Sequence, residues 1–278
     1  MDIDIEVEEV LPVLHWRSRM EFTVSDNSRL GLFASRSSRI VEIENCEIAH
    51  EEIDIPAINQ RRLPKGKRVD VAISSAGSDE VVIEGRENLT LIKEDVDGFE
   101  FTLNPISFWQ SHRAAPELLS SVVKEFAEVK AGEHIFDLYG GVGLFSAVAI
   151  DKIGAGGRID LIESSIPATE SARENFKVHQ NVKIIRDDVA KALRNIKRAD
   201  VVVLDPPRAG AGAEVVDQLL RINPSRIVYV ACDPATLARD VKQFTESGWR
   251  LVQIDGYDLF PMTQHIESIC LLEPNKVS

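Results

Sequence analysis

Cys232 is the residue of this chain whose type and position best suit covalent chemistry. It follows the apolar run IVYVA at 227–231 and precedes Asp233 and Pro234, which are typical of the first positions of a helix. A thiol there lies near the positive end of the helix dipole, so we predict a lowered pKa and a nucleophilic thiolate. The alternative is a small buried residue without chemistry, which is how we interpret Cys270 inside an apolar strand.

A glycine-rich turn offers a second functional feature, the run FDLYGGVGLFS at 136–146. Glycines in such a turn let the backbone approach a ligand at the carboxyl end of the first strand of a parallel sheet. Ser146 occupies the place of the last glycine of a dinucleotide fingerprint, and no Lys-Ser or Lys-Thr pair follows, so the turn is neither that fingerprint nor a P-loop. A tight turn between strand and helix is the alternative.

Acidic residues end the strands that follow this turn. Glu163 lies 23 residues after Gly140, where a carboxylate can accept hydrogen bonds from ribose hydroxyls. Asp188 and Asp205 end the next two strand regions, the latter in the run DPPR at 205–208. Carboxylates around a turn without a phosphate-binding signature favour an adenosine ligand that carries no phosphates. S-adenosylmethionine is the main candidate.

The first part of the chain has a β pattern. Short runs with alternating apolar residues are separated by glycine, proline and polar residues, and the predicted strands are 21–24, 30–34, 40–43, 69–74, 81–84 and 98–103. We therefore predict that residues 1–103 form a small, mostly antiparallel β domain. A helix is predicted at 114–129.

The second part, residues 104–278, alternates between strand and helix patterns. Predicted strands lie at 134–139, 158–162, 182–185, 200–204, 226–230, 250–254 and 266–272, and predicted helices at 144–152, 167–177, 189–196, 214–221 and 234–247. Continuous apolar runs are typical of parallel strands covered by helices on both faces. Only a loop joins the last two strands, which predicts an antiparallel pair. The fold class is therefore α/β, a mostly parallel sheet whose last strand is antiparallel.

The composition is that of a globular protein in a reducing compartment. The 278 residues are 44% apolar and 28% charged, with three separated cysteines. No run is long enough for a membrane span, and the acidic N-terminus does not resemble a secretory signal, so we expect a cytoplasmic location. The net charge is −13, yet arginines cluster at 36 and 39 and in the run 61–68. Such clusters either bind phosphates or are solvated loop charges.

Five runs together resemble the RNA uracil-5-methyltransferases: FWQ at 108–110, DLYGGVG at 137–143, LDPPR at 204–208, CDPATLARD at 232–240 and FPMTQHIE at 260–267. Few other families combine the last two. The resemblance implies a class I methyltransferase with a Rossmann-like sheet, S-adenosyl-L-methionine as cofactor, and an RNA substrate methylated at C5 of uridine. The residues of these motifs, especially those at 108–110 and 232–234, favour ribosomal RNA over transfer RNA as the substrate. We expect the protein to be a monomer.

The resemblance also implies residue roles. Cys232 would be the nucleophile and Glu267 the base that removes the C5 proton, although Glu267 alone could be a solvent-facing strand carboxylate. The cofactor contacts would be Gln110, Tyr139, Gly141, Glu163, Asp188 and Asp205. We further expect the β domain at 1–103 to contact the RNA. Substrate binding is expected from Arg208, whose alternative is a surface salt bridge, and from Arg17 and Arg19, whose alternative is solvated loop charge.

Three departures from the family pattern lie near these sites. Leu144 replaces a common asparagine, and Ala231 and Asp233 replace the commoner serine and asparagine beside the nucleophile. Many members also hold an iron–sulfur cluster on four cysteines. Cys46 resembles the last of those ligands, and the other three have no counterpart, so we expect neither a cluster nor another metal. The chain is then either truncated or from a lineage without the cluster.

Two other functions compete with uridine methylation. In the first, Asp205-Pro206-Pro207 belongs to an amino-methyltransferase, but such enzymes usually place an aromatic residue where Arg208 stands. In the second, the chain is a non-catalytic RNA-binding relic. Both alternatives leave Cys232 and Glu267 without a role.

Overall fold

The computed structural model describes residues 5–77, 79–85 and 89–275. Among them the strands are β1 (Val7–Glu9), β2 (Arg19–Val24), β3 (Leu30–Phe33), β4 (Ile40–Glu42), β5 (Arg68–Ile73), β6 (Asp79–Ile83), β7 (Ile92–Val96), β8 (Phe99–Leu103), β9 (His134–Leu138), β10 (Arg158–Glu163), β11 (Val182–Arg186), β12 (Val201–Leu204), β13 (Arg226–Ala231), β14 (Trp249–Asp258) and β15 (Glu267–Pro274). The helices are α1 (Ile55–Asn59), α2 (Ala115–Ala127), α3 (Leu144–Ile153), α4 (Ile166–Asn175), α5 (Val189–Leu193), α6 (Gly212–Ile222) and α7 (Pro234–Glu246).

The chain divides into two compact units. The smaller unit is Leu11–Ala115, and the larger one combines Met1–Val10 with Pro116–Ser278. The sequence pattern placed the boundary at 103–104 and left the N-terminal residues with the first domain. The N-terminal residues group with the larger unit because β1 pairs in parallel with β14, from Val7 opposite Gly256 to Glu9 opposite Asp258.

The smaller unit contains an antiparallel five-stranded sheet in the order β4-β3-β2-β5-β6 and a two-stranded hairpin of β7 and β8. Inward-facing side chains of the central strands form its core with helix α1. The largest of them, Phe22 and Leu30, are almost fully buried. Helix α1 begins where the Asp54 side chain accepts a hydrogen bond from the Ala57 amide.

The larger unit contains an eight-stranded sheet in the order β1-β14-β15-β13-β12-β9-β10-β11. Strands β9 to β13 run parallel, and β15 is antiparallel to both β13 and β14. The predicted fold class is therefore confirmed, including the antiparallel last strand. The continuous apolar runs are buried as expected, since all four residues of β12 are 3% exposed or less.

Side-chain caps fix where several helices begin. Ser165, Asp188 and Asp233 each accept a hydrogen bond from the backbone amide three residues ahead. Proline follows two of these caps closely, at the first turns of α4 and α7. These caps place the start of each helix directly after a strand end of the sheet.

Two further features are absent from the described residues, namely a helix that could cross a membrane and a cluster of metal-ligating side chains. None of their helices combines the length and apolarity that crossing a bilayer requires. Within the same residues, no three histidine, cysteine, aspartate or glutamate side chains converge as metal ligands.

Candidate active site

The predicted site residues of the larger unit gather at one edge of its sheet. Strands β9, β10, β12 and β13 are parallel, and each ends at or directly before a predicted residue, namely Tyr139, Glu163, Asp205 and Cys232. These strands are consecutive neighbours in the sheet. Ligands of open α/β sheets bind at this carboxyl edge, so the topology brings the predicted cofactor residues and the predicted nucleophile together.

The glycine turn closes onto Glu163. Its carboxylate accepts hydrogen bonds from the Gly141 amide at 3.1 Å and from the Ser165 amide at 2.6 Å. Gly143 has a φ of 102°, and a Cβ atom there would lie 2.2 Å from the Phe176 ring, so this position requires glycine. A Cβ atom at Gly141 would meet nothing within 4 Å, so the space beside the turn is open.

Tyr139 and Asp188 lie near each other beside this turn. Tyr139 has a φ of 59°, a left-handed conformation that is uncommon for residues other than glycine. Burial raises the pKa of the Tyr139 phenol to about 12, and the negative charge of Asp188 adds to the shift. Asp188 itself is exposed and caps α5 through the Lys191 amide at 3.1 Å. Strained backbone of this kind is found disproportionately at ligand sites.

Asp137, which the sequence analysis did not assign to the site, lies directly beneath the turn. Its side chain is 1% exposed, and Oδ2 accepts a hydrogen bond from the Ser146 hydroxyl at 2.6 Å. Oδ1 is buried and makes no hydrogen bond within the described part of the chain. A polar residue inside the apolar run of β9 was the sequence signal that could have identified it.

These features fit a nucleoside cofactor of the adenosine type. Glu163 presents a carboxylate that can accept hydrogen bonds from hydroxyl groups, and the turn is open at Gly141. The acidic residues along the edge suit a ligand that carries positive charge and no phosphate.

Burial raises the pKa of Asp137 to about 7, against the opposing Ser146 hydrogen bond, and the charge of Glu163 contributes to the rise. The folded protein therefore keeps a proton that the unfolded chain releases at its ordinary pKa of 3.8. The stability contributed by this group is complete below pH 3.8 and is lost as pH rises through about 7. We predict that Asp137→Asn gains stability over the parent protein across this window, by up to about 4 kcal/mol.

Urea unfolding of both proteins at pH 5 and pH 8 measures this difference. Asp151→Asn, an exposed aspartate of α3, makes the same charge change and should leave the pH dependence as in the parent. Equal pH dependence in the parent and in Asp137→Asn would show that Asp137 is ionised normally in the folded protein.

Cys232 and Glu267 face each other across two antiparallel strands. Ala231 of β13 pairs with Ser268 of β15, so the next residue of one strand lies opposite the preceding residue of the other. Cys232 lies directly after β13, and the charge of Glu267 acts on its thiol. Two side chains far apart in the sequence are thus placed at one point of the sheet edge.

The thiol of Cys232 is less acidic than the sequence analysis predicted. Burial raises the pKa of the Cys232 thiol, the charges of Glu267 and Asp205 raise it further, and Arg208 opposes them. The predicted lowering by the helix dipole is therefore wrong in direction. The α7 cap is present as predicted, with the Thr236 amide bonded to Asp233 at 2.9 Å, but the adjacent carboxylates and the burial outweigh it.

Burial also strongly raises the pKa of Glu267. It is 3% exposed, and burial together with the charge of Asp205 holds its pKa well above the ordinary value for glutamate. A carboxyl group in this state releases its proton less readily than an exposed one, and it is a stronger base once ionised. This excludes the alternative of a solvent-facing strand carboxylate.

Alkylation of Cys232 by iodoacetamide tests these electrostatics without RNA. Only the thiolate reacts, so the rate should rise with pH to beyond pH 9, the ordinary pKa of the thiol. We predict that Asp205→Asn increases the rate at pH 8 several-fold, and that Arg208→Ala decreases it. A Cys46→Ser background removes the other half-buried thiol, and Cys270 is fully buried. Unchanged rates, or effects of opposite sign, would contradict this electrostatic arrangement.

A buried hydrogen-bond network holds the loop that carries Arg208. The Ala211 amide donates to both the Tyr229 hydroxyl and the Asp240 carboxylate, each at 2.9 Å. Tyr229 donates to Asp240 at 2.7 Å, and Arg239 bonds the Ala209 carbonyl at 2.9 Å. The sequence analysis missed these residues, which lie within or beside the motif at 232–240.

The remaining predicted residues belong to the smaller unit. Gln110 is buried. Arg19 is mostly buried and ion-paired with Glu94 at 2.7 Å, so its guanidinium is engaged by a protein carboxylate. Arg17 donates from Nε to the Arg19 carbonyl at 2.9 Å and lies over the Trp16 ring. Cys46 packs at the margin of the core of this unit.

Comparison with solved structures agrees with this architecture. The crystal structure of Pyrococcus abyssi tRNA (uracil-54, C5)-methyltransferase in complex with S-adenosyl-L-homocysteine superimposes with a TM-score of 0.77. It covers 97% of this chain and 79% of that one, at 23% sequence identity. The similarity shows that the two proteins share a fold.

Sequence comparison identifies relatives over nearly the whole chain. A protein of Streptomyces coelicolor called an uncharacterized RNA methyltransferase is 35% identical over 93% of this chain, and one of Streptomyces avermitilis is 34% identical over 93%. The chain spans 64% and 67% of those two relatives. The profile of the tRNA (Uracil-5-)-methyltransferase family matches residues 57–275, which include every motif of the larger unit described above. The chain belongs to the tRNA (uracil-5-)-methyltransferase family.

Proposed function

We propose that the protein methylates C5 of uridine in RNA, with S-adenosyl-L-methionine as methyl donor, and that ribosomal RNA is its substrate in preference to transfer RNA. Cys232 acts as the nucleophile and Glu267 as the base. The observation that carries the proposal is the position of these two side chains, opposite each other at the carboxyl edge of the sheet beside Asp205.

The chemistry of uracil explains why a thiol and a carboxylate are needed together. C5 of the neutral ring is a weak nucleophile. Addition of the Cys232 thiolate to C6 converts the ring to an enolate and makes C5 carbanion-like. After C5 has gained the methyl group it still carries its proton. Glu267 removes that proton, the C5–C6 double bond forms again, and the thiolate leaves.

The raised pKa of Glu267 suits the step in which the C5 proton is removed. A general base works best when its pKa is near the working pH, and burial moves Glu267 in that direction. Arg208 supplies the nearby positive charge that favours the thiolate of Cys232. The loop network of Tyr229 and Asp240 keeps this arginine segment in place.

The cofactor would be held by the glycine turn and the acidic edge. Glu163 would accept hydrogen bonds from the ribose hydroxyls, Asp188 and Tyr139 would flank the adenosine, and Gly141 would leave room for it. When bound, S-adenosyl-L-methionine supplies an electrophilic methyl group on a sulfonium. Asp205 lies between this site and the thiol in the strand order, so it belongs to both.

The target uridine must leave its stack or loop before the thiol can reach C6. We propose that the β-rich N-terminal region contacts the RNA through residues that include Arg17, that Arg208 binds the RNA near the target, and that the protein acts as a monomer. The motif pattern at 108–110 and 232–234 supports a ribosomal RNA substrate.

A covalent trap tests the proposal. The protein is mixed with S-adenosyl-L-methionine and cellular RNA that contains 5-fluorouridine, and complexes that survive denaturation are isolated. Fluorine at C5 cannot leave as a proton, so the thiol adduct should persist. We expect an adduct with the parent protein and with Cys46→Ser, and none with Cys232→Ala.

Sequencing of the trapped RNA then identifies the substrate. Enrichment of one ribosomal RNA site supports the full proposal, and enrichment of transfer RNA would replace only the substrate class. If the parent protein binds the cofactor and forms no adduct, the C5 mechanism is wrong and amino-methylation becomes the better proposal.

A further inference from the structure

The hairpin of β3 and β4 carries exposed positive charge in an otherwise acidic region. The first 100 residues hold 22 acidic and 12 basic side chains, yet the segment 33–41 contains two arginines, three serines and no acidic residue. Arg36 and Arg39 are both exposed. Among the described residues, neither forms an ion pair.

Other basic residues of the smaller unit are engaged by carboxylates. Six of them form ion pairs, namely Arg19 with Glu94, Arg29 with Glu44, Lys67 with Glu84, Arg68 with Asp70, Lys93 with Glu100 and Arg113 with Glu51. Arg61 and Lys65 are also outside the ion pairs of the described residues, but the sequence around them has no aromatic residue. The hairpin therefore differs from the ion-paired basic residues in its unpaired charge, and from the segment 61–65 in having an aromatic residue beside its arginines.

The turn of the hairpin is closed by backbone hydrogen bonds and is strained at one arginine. The Ala34 amide donates to the Arg39 carbonyl at 2.9 Å, and the Ser37 amide donates to the Ala34 carbonyl at 3.0 Å. Arg36 has a φ of 53°, a conformation that glycine or asparagine adopts more easily. Folding alone gives no reason for an arginine at this position.

An exposed aromatic ring lies at the base of the same turn. Phe33 is the last residue of β3, opposite Ile40, and it is 57% exposed. Exposed aromatic rings beside arginines are the combination with which proteins bind single-stranded nucleic acid, since the ring stacks on a base and the guanidinium binds phosphate.

We propose that the hairpin formed by β3 and β4 is an RNA-binding element, in which Arg36 and Arg39 bind phosphates and Phe33 stacks on a base. The inference rests on the proposed function, because it takes RNA as the substrate. It identifies the part of the smaller unit that recruits RNA to a protein whose net charge of −13 opposes such binding.

Fluorescence anisotropy with a labelled, uridine-rich single-stranded RNA tests the inference, without cofactor or chemistry. We expect the Arg36→Gly, Arg39→Ala double variant to raise Kd about tenfold at low salt and to reduce the slope of log Kd against log salt by about 1.4, which corresponds to two phosphate contacts. We expect Phe33→Ala to raise Kd about tenfold with the slope unchanged.

Two controls separate binding from folding. Arg36→Gly suits the left-handed turn, so it should keep or raise the thermal stability while it weakens RNA binding. Arg29→Ala removes an equal charge that is ion-paired with Glu44, and its Kd should stay within about twofold of the parent value.

The outcomes are distinguishable from those of the proposed function. If the parent protein forms the Cys232 adduct and the hairpin variants bind RNA as the parent does, the inference is wrong and the function stands. If the hairpin variants lose salt-dependent RNA binding and the parent forms no adduct, the RNA site stands without the C5 mechanism. A parent protein that does not bind the RNA probe contradicts the inference.

Discussion

Replacing Cys232 by alanine is expected to lower kcat/KM for RNA methylation by about 10⁴-fold or more, because removal of a covalent nucleophile has effects of this order. Without the thiolate, C6 of the target uracil gains no substituent and C5 stays a weak nucleophile. The measurement is transfer of a radiolabelled methyl group to RNA from cells that lack this modification.

The cofactor affinity of Cys232→Ala shows whether the variant has lost only the reaction or has also lost its fold. The glycine turn and Glu163 lie on other strands of the sheet, so calorimetry should give the same Kd for the cofactor with and without the thiol. Cys46→Ser removes a thiol in the smaller unit and should methylate at the parent rate. Methylation by Cys232→Ala within about tenfold of the parent rate would exclude covalent catalysis.

The sheet of the larger unit could be predicted because its strands are buried on both faces. Runs such as β12 and β13 are almost entirely apolar, and the helix starts at Asp188 and Asp233 carry caps. Strand ends of parallel sheets meet at one edge, so Glu163 could be placed at the carboxyl edge beside the glycine turn from sequence alone.

Elements that depend on distant partners could not be predicted in this way. β1 is exposed at all three residues and has no apolar pattern, and it is a strand only because it pairs with β14. The short helix α1 did carry a local signal, Asp54 followed by Ile55 and Pro56, which the sequence analysis did not use.

The electrostatics of the site required the three-dimensional structure. The cap at Asp233 correctly predicted the helix beside Cys232, but the sign of the thiol pKa shift depends on burial and on Glu267, which lies 35 residues further along the chain. The ion pair of Arg19 with Glu94 likewise joins residues 75 positions apart. Local sequence patterns indicate which residues lie at the carboxyl edge of the sheet. Contacts with residues distant in the sequence determine the charge of their side chains.

Replacing Glu267 by glutamine is expected to stop the reaction after methyl transfer. Glutamine has nearly the same shape but accepts no proton, so C5 keeps its proton and the thiol cannot be eliminated. We predict a single burst of methyl transfer, close to one equivalent per enzyme, and a loss of about 10²- to 10⁴-fold in steady-state kcat. The RNA should stay attached to Cys232 with its new methyl group, without any fluorinated substrate.

Gel electrophoresis under denaturing conditions detects this adduct, and mass spectrometry of the digested complex locates it on Cys232. Glu273→Gln is the matched control, since Glu273 lies on the same strand and is ion-paired with Arg226 and Arg250. That variant should turn over normally and leave no adduct. If Glu267→Gln instead releases methylated RNA through many turnovers, another group removes the C5 proton. Asp205 would then be the nearest carboxylate to test, because its charge acts on both Cys232 and Glu267.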